Sequence, residues 1–177
     1  MPVALVLAEA VVDLTIAGNL ATVGNLSPAL LGQSIGGGGG YAPIASKTAI
    51  LGAQFSSNLD AAAVTVNLNA DVFTSGLGSD GLLLQSIGAG GGVTGSTTAG
   101  LTMGASTLAN GDAADVTINS TGTITTTGEQ SIGIFAQSVG AGGGRAGSAS
   151  DSVSIFRPLT FPTSAVMKLA VEPLHPS

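Results

Sequence analysis

Gln33-Ser34-Ile35-Gly36-Gly37-Gly38-Gly39-Gly40 returns as Gln85-Ser86-Ile87-Gly88-Ala89-Gly90-Gly91-Gly92, and again as Gln137-Ser138-Val139-Gly140-Ala141-Gly142-Gly143-Gly144. The offsets 85 − 33 and 137 − 85 are both 52. A period that holds without a gap implies that the intervening residues align as well, and they do. Apolar columns recur at Val12/Val64/Val116, Leu14/Val66/Ile118, Leu20/Val72/Ile124, Leu30/Leu82/Ile134, Leu31/Leu83/Phe135 and Leu51/Met103/Ile155. Polar columns recur at Thr22/Thr74/Thr126, Gln33/Gln85/Gln137 and Ser34/Ser86/Ser138. The chain is therefore a tandem array. It divides into a lead-in at 1–11, a repeat region at 12–156 with units 12–63, 64–115 and a partial 116–156, and a non-repeat tail at 157–177.

Within a unit the local period is two. Val64-Thr65-Val66-Asn67-Leu68 and Val116-Thr117-Ile118-Asn119 alternate apolar with polar residues, as a half-buried strand does. Thr, Val and Ile suit a pleated surface, while the Gly, Asn, Asp and Ser clusters supply turns. The fold class predicted is all-β: a right-handed parallel β-helix, or solenoid, built from tandem 52-residue repeats. Equivalent columns would stack about 4.8 Å apart, and each unit would need its neighbours to bury its apolar face. Strand-like starts near Val64, Leu82, Gly100 and Val116 lie 18, 18 and 16 residues apart, which suggests about three short turns per unit. Two larger turns of about half a unit each are the other arrangement.

The Gln column poses a problem under strict alternation. Gln85 shares a face with Leu83 and Ile87, and Gln137 with Phe135 and Val139. Either a bend precedes the Gln and makes Gln-Ser a polar corner before the Gly turn, or the amides are buried and bond to their equivalents in the next unit. The cost of an unpaired buried amide favours the polar corner.

Composition removes several classes. The 177 residues include 28 Gly and no Cys, so disulfides and thiolate metal sites are impossible. A net charge of −6, with four Lys+Arg against ten Asp+Glu, gives no basic footprint for nucleic acid. Disorder pairs low hydropathy with high charge, whereas here the mean hydropathy is +0.53 and only 8% of residues are charged. No uninterrupted apolar segment approaches the ~18–20 residues of a spanning helix. Met1 to Leu7 is apolar and Ala8-Glu9-Ala10 resembles a small-x-small cleavage site, but no basic region precedes it and the apolar run is short for a signal peptide. From Arg157 onward the composition changes: Pro158, Pro162, Pro173 and Pro176 appear, with His175 and no Gly. Proline at these spacings is expected to prevent regular strand pairing there.

The Gln-Ser-Ile-Gly-Ala-Gly-Gly-Gly phrase at 85–92 and Ser131 to Gly144, each with Val-Thr-Val/Ile-Asn upstream, resemble the glycine-rich repeats of large autotransporter passenger regions. The resemblance covers roughly Val12 to Ile155. It implies a secreted, cell-surface or outer-membrane location and a parallel β-helix. It also implies an adhesive or stalk-like role toward host or neighbouring-cell surface ligands, with membrane attachment only through a C-terminal barrel. This sequence holds no series of ~10-residue amphipathic strands with aromatic girdles, having five Phe and one Tyr. The expectation is a segment of a longer passenger, with residues from Arg157 read out of context, and with exposed solenoid ends that self-associate.

No catalytic, cofactor-binding or metal site is predicted. Gly90-Gly91-Gly92-Val93-Thr94-Gly95 and Gly142-Gly143-Gly144-Arg145-Ala146-Gly147 satisfy G-x-G-x-x-G, but a dinucleotide site needs a helix next, and VTGSTTAG and RAGSASDS are poor helix formers. Lys47-Thr48 lacks the glycines of a phosphate-binding loop. The Gly runs contain no Asp, unlike calcium-binding β-roll repeats, and Asp60, Asp71, Asp80, Asp112, Asp115 and Asp151 read as turn and solvation residues. A polysaccharide-acting β-helix enzyme would need clustered carboxylates and cations, and the body before the tail offers only Lys47 and Arg145. His175 stands among prolines as a solvated imidazole, and no base is visible to activate a serine. A further alternative, ice-binding Thr ranks, rests on Thr22/Thr74/Thr126 and Thr65/Thr117, with Asp13 breaking the second rank.

Overall fold

The computed structural model describes residues 2–8, 10–45, 49–53, 60–97, 101–105, 109–146, 153–155 and 168–171. These residues form strands and turns, with no helix among them. A lead strand β1 (Val3–Ala8) precedes the first unit, which contributes β2 (Val12–Ala17), β3 (Leu20–Thr22), β4 (Leu30–Ile35), β5 (Gly40–Ala45) and β6 (Ala49–Leu51). The second unit gives β7 (Val64–Asn69), β8 (Val72–Thr74), β9 (Leu82–Ile87), β10 (Gly92–Thr97) and β11 (Leu101–Met103). The third gives β12 (Val116–Ser120), β13 (Ile124–Thr126), β14 (Ile134–Val139), β15 (Gly144–Ala146) and β16 (Val153–Ile155), and β17 (Lys168–Val171) follows.

Among the described residues all strand pairs are parallel, and they form five stacked sheets. In the order one unit visits them, sheet I is β2-β7-β12-β17, sheet II β3-β8-β13, sheet III β1-β4-β9-β14, sheet IV β5-β10-β15 and sheet V β6-β11-β16. The architecture is all-β with parallel strands in stacked sheets, as in a β-solenoid. Between units the register is constant: Val12↔Val64↔Val116, Leu30↔Leu82↔Ile134, Gly40↔Gly92↔Gly144 and Ala49↔Leu101↔Val153. Each 52-residue unit therefore lays one strand in each sheet. This corrects the expected two or three turns per unit. The strand starts at Val64 and Leu82 belong to different sheets that face each other across the core, so their 18-residue spacing measures the path around the section rather than the rise along it.

The alternation read from sequence directs the packing. Val64, Val66 and Leu68 of sheet I are fully buried while Thr65 and Asn67 between them are half-exposed. They meet Val72 of sheet II and Leu82 and Leu84 of sheet III in the main core, with Val12, Leu20, Leu30, Val116 and Ile118 continuing the same columns. A second cluster, Leu51, Leu101 and Met103, lies on sheet V with Ala42 of sheet IV packed against it. A third buried cluster is made of alanines alone: Ala53, Ala89, Ala105, Ala109 and Ala141. Sheet III is covered on both faces, so β9 is buried at all six positions. That is why Leu82-Leu83-Leu84 breaks alternation.

The Gly run turns the chain from sheet III into sheet IV. Gly39, Gly91 and Gly143 have φ of 122°, 121° and 110°, and Gly40, Gly92 and Gly144 have φ of 113°, 129° and 140°. A Cβ at Gly91 would lie 2.4 Å from the Gly143 carbonyl oxygen. The run is thus a stacked backbone turn that side chains cannot enter. A second stacked turn, between sheets II and III, puts Leu26, Gly78 and Gln130 at φ of 54°, 61° and 60°.

The two ends add strands outside the 52-residue register. β1 pairs with β4 through Val3↔Leu30, 27 residues apart, and supplies a layer before the first unit on sheet III alone. β17 pairs with β12 through Thr117↔Lys168 and, among the described residues, supplies a layer after the third unit on sheet I alone. The second pairing corrects the expectation that prolines keep 157–177 out of the sheets. The stretch between Pro162 and Pro173 is proline-free, and the twelve residues of 156–167 match the twelve of 52–63 and of 104–115 that lead from sheet V back to sheet I. The register slips by one residue. Strict periodicity would set Lys168 opposite the fully buried Val116, whereas the slip sets it opposite Thr117 and sets Leu169 opposite Ile118.

Two substitutions test the turns. Gly91→Ala should destabilise by roughly 1–3 kcal/mol or more in urea denaturation, from positive φ and the carbonyl clash, whereas Gly37→Ala, whose equivalents are Ala89 and Ala141, should be near neutral. Gln130 is exposed at φ 60° in a column that already holds Gly78. Gln130→Gly should raise stability by about 0.5–1 kcal/mol in the same assay.

Candidate functional site: stacked polar columns

In the first two units the Gln column is buried, and Gln137 at the end of the stack is half-buried. Gln33 and Gln85 are 3% and 0% exposed, and their amides form a ladder along the stack. Gln33 Nε2 donates to Gln85 Oε1, and Gln85 Nε2 donates to Gln137 Oε1 at 2.7 Å. The polar-corner expectation is therefore corrected. No bend precedes the Gln, because β4, β9 and β14 run straight through it. In-register pairing brings successive amides within bonding distance, so the burial cost that argued against this arrangement is offset by the ladder itself. On the Gly40 side, a Cβ would approach Ile35 Cδ1 and lie 3.6 Å from Gln33 Nε2, which shows how closely the Gly turn folds against the amide column.

The adjoining Ser column does different work on the opposite face. Ser34 Oγ accepts from Ala62 N–H at 2.9 Å, and Ser86 Oγ donates to the Ala62 carbonyl at 3.0 Å. One unit on, Ser86 Oγ accepts from Ala114 N–H and Ser138 Oγ donates to the Ala114 carbonyl, both at 2.9 Å. The segments around Ala62 and Ala114, on their way from sheet V to sheet I, are thus each held between two serines of sheet III. These backbone groups lie outside the strands, and the hydroxyls satisfy them where no ladder bond is available.

Asn and Asp side chains at the outer turns reach forward by one unit. Asn19 Oδ1 accepts from Asp71 N–H, Asn25 Oδ1 from Leu77 N–H, Asp60 Oδ1 from Asp112 N–H, Asp71 Oδ1 from Thr123 N–H and Asp80 Oδ1 from Ile132 N–H, at 2.8 to 3.1 Å. Three of the Asp residues expected only to turn and solvate, Asp60, Asp71 and Asp80, therefore also tie successive units together, and Asp80 is buried rather than solvated. Its second oxygen, Oδ2, takes the guanidinium of Arg145 at 3.0 Å. Arg145 in turn lies 4.8 Å from the centre of the Phe135 ring. Nearby, Tyr41 donates to the Leu26 carbonyl at 3.2 Å, and its hydroxyl pKa is raised by burial and by the Asp80 charge against a lowering by Arg145. The cluster closes on itself: each polar group already has a partner.

The motifs singled out in the sequence fall as follows. Gly90 to Gly92 lead into strand β10, and Gly142 to Gly144 into strand β15, so neither glycine run presents the helix N-terminus a dinucleotide phosphate would need. Thr22 and Thr74 are 6% and 0% exposed and donate to the carbonyls of Ser27 and Ser79 inside the turn, so this column forms no exposed rank. Thr65 and Thr117 stand on the outer face of sheet I beside an Asn119 to Asn67 amide bond of 2.8 Å. Lys47-Thr48, Asp151 and His175 lie outside the described residues. Among the described residues no group of three or more His, Asp or Glu comes together, and no helix is long and apolar enough to cross a membrane. Comparison with family models, with curated proteins and with solved structures finds no match.

Gln85→Leu should unfold the chain at lower urea, with a loss of about 1–3 kcal/mol, because it leaves the buried Gln33 donor without its partner and takes the donor from the half-buried Gln137 acceptor. Replacing all three Gln by Leu should cost less than three times that, since no amide is then left unpaired.

Proposed function

We propose that this chain is a non-catalytic structural and adhesive segment of a bacterial cell-surface autotransporter passenger, with the parallel β-helix fold that such passengers have. The supporting observation is the constant 52-residue register across five parallel sheets, in which the repeated Gln-Ser-Ile-Gly phrase forms the inner scaffold. A polar column that serves the scaffold leaves recognition to the outer faces, where side chains vary from unit to unit. Asp13, Thr65 and Thr117 share one such column and Ala21, Phe73 and Thr125 another. A ligand on a neighbouring or host cell would lie along these faces rather than in a closed site. Stacked backbone and amide bonds also suit a segment that must hold its shape outside the cell without disulfides.

The reading is tested by surface labelling of intact source cells with an antibody raised against the purified chain, before and after external protease. Labelling that protease removes is the expected result. An epitope reached only after lysis would overturn it.

A further inference from the structure

The two strands outside the repeat register occupy complementary halves of a layer. β1 adds to sheet III before the first unit, and β17 adds to sheet I after the third. If a second copy follows the first along the stacking axis, its β1 meets β14 on sheet III while its β2 meets β17 of the first copy on sheet I. Both contacts fall in one shared layer. We propose that the chain assembles head to tail with a second copy of itself, through a junction layer built from β17 of one copy and β1 of the next.

Three observations support this occupant. First, β14 is half-buried at all six positions, whereas β9, with the same pattern of residues, is fully buried at all six. What separates them is a covering strand: β9 lies between β4 and β14, and among the described residues β14 is an edge. Second, β1 already shows that it pairs in parallel with a sheet III strand over six residues, from Val3↔Leu30 to Ala8↔Ile35. Ile134 to Val139 stands in register with Leu30 to Ile35, and the edge that β14 leaves open is the one β4 presents to β9 and β9 presents to β14, so it would be met by the edge of β1 that faces away from β4. Third, the ends carry opposite charges in one column. Asp13, exposed on β2, is in register with Thr65, Thr65 with Thr117, and Thr117 with Lys168. Joining the ends brings Lys168 of one copy to Asp13 of the next.

The contact is heterologous, with different surfaces on the two partners, and a translation along the axis does not close. The product is a linear series rather than a closed dimer. Main-chain pairing at an open edge provides the attraction and the charge pair sets the register. This inference concerns only the ends of the stack and does not rest on the cell-surface reading, so either can fail alone.

Sedimentation velocity of the full 177-residue chain over a concentration series tests it, with negative-stain imaging of the largest species. The expected result is reversible, concentration-dependent linear oligomers one stack wide. Asp13→Lys and Lys168→Asp should each weaken association about tenfold, because each sets like charges against one another at the junction. An equimolar mixture of the two variants should recover it to within about threefold, since alternating copies restore opposite charges at every contact. That recovery also shows that both variants are folded. A monomer throughout the series, oligomers insensitive to both substitutions, or no recovery on mixing would each overturn the proposal.

Discussion

Parallel pairing at a fixed spacing of 52 residues constrains every side chain in this protein, because a backbone group in one layer finds its partner only in the layer above or below. Once the register is set, each residue faces its own equivalents, and a column succeeds or fails as a whole. Aliphatic columns bury each other. Gln columns satisfy each other. Turn columns need matching φ in all three units, which explains why the glycines at 39–40, 91–92 and 143–144 recur together while position 37 tolerates Ala in the later units. A side chain that is unfavourable alone, such as a buried amide, becomes acceptable when its neighbours repeat it.

The polar columns divide the labour of holding the section together. Gln bonds run along the stack, whereas the Ser hydroxyls bond across it, pinning the segment that returns to sheet I. Asn and Asp side chains on the outside bridge from one turn to the next without belonging to any sheet. With 8% charged residues, the chain has few ion pairs to spend, and the one between Arg145 and Asp80 spans units where the Tyr41/Val93/Arg145 column departs from aliphatic residues.

Several features were legible from sequence because the repeat made them so. The 52-residue spacing, the core columns and the Gly turns followed from aligning the chain with itself, and strand identity followed from two-residue alternation in Val64 to Leu68. The polar columns that might have been sites were visible, but their purposes were not. Thr22 and Thr74 were candidates for an exposed rank and turn out to close a turn, because their hydroxyls lie within reach of carbonyls five residues on. The tail strand was missed for a related reason. Proline spacing speaks against pairing, yet a connection of the right length delivers Lys168–Val171 to sheet I.

By itself the sequence determined that the chain repeats every 52 residues, that its elements are strands, and which residues stand in one column. Those properties are local or periodic and can be counted along the chain. Only the tertiary structure decided that one unit makes one layer, that the Gln amides are inside, and that Asp80 is buried against Arg145. Each of these depends on which strands stack and which merely face each other, and spacing along a chain does not distinguish a step along the axis from a path around the section.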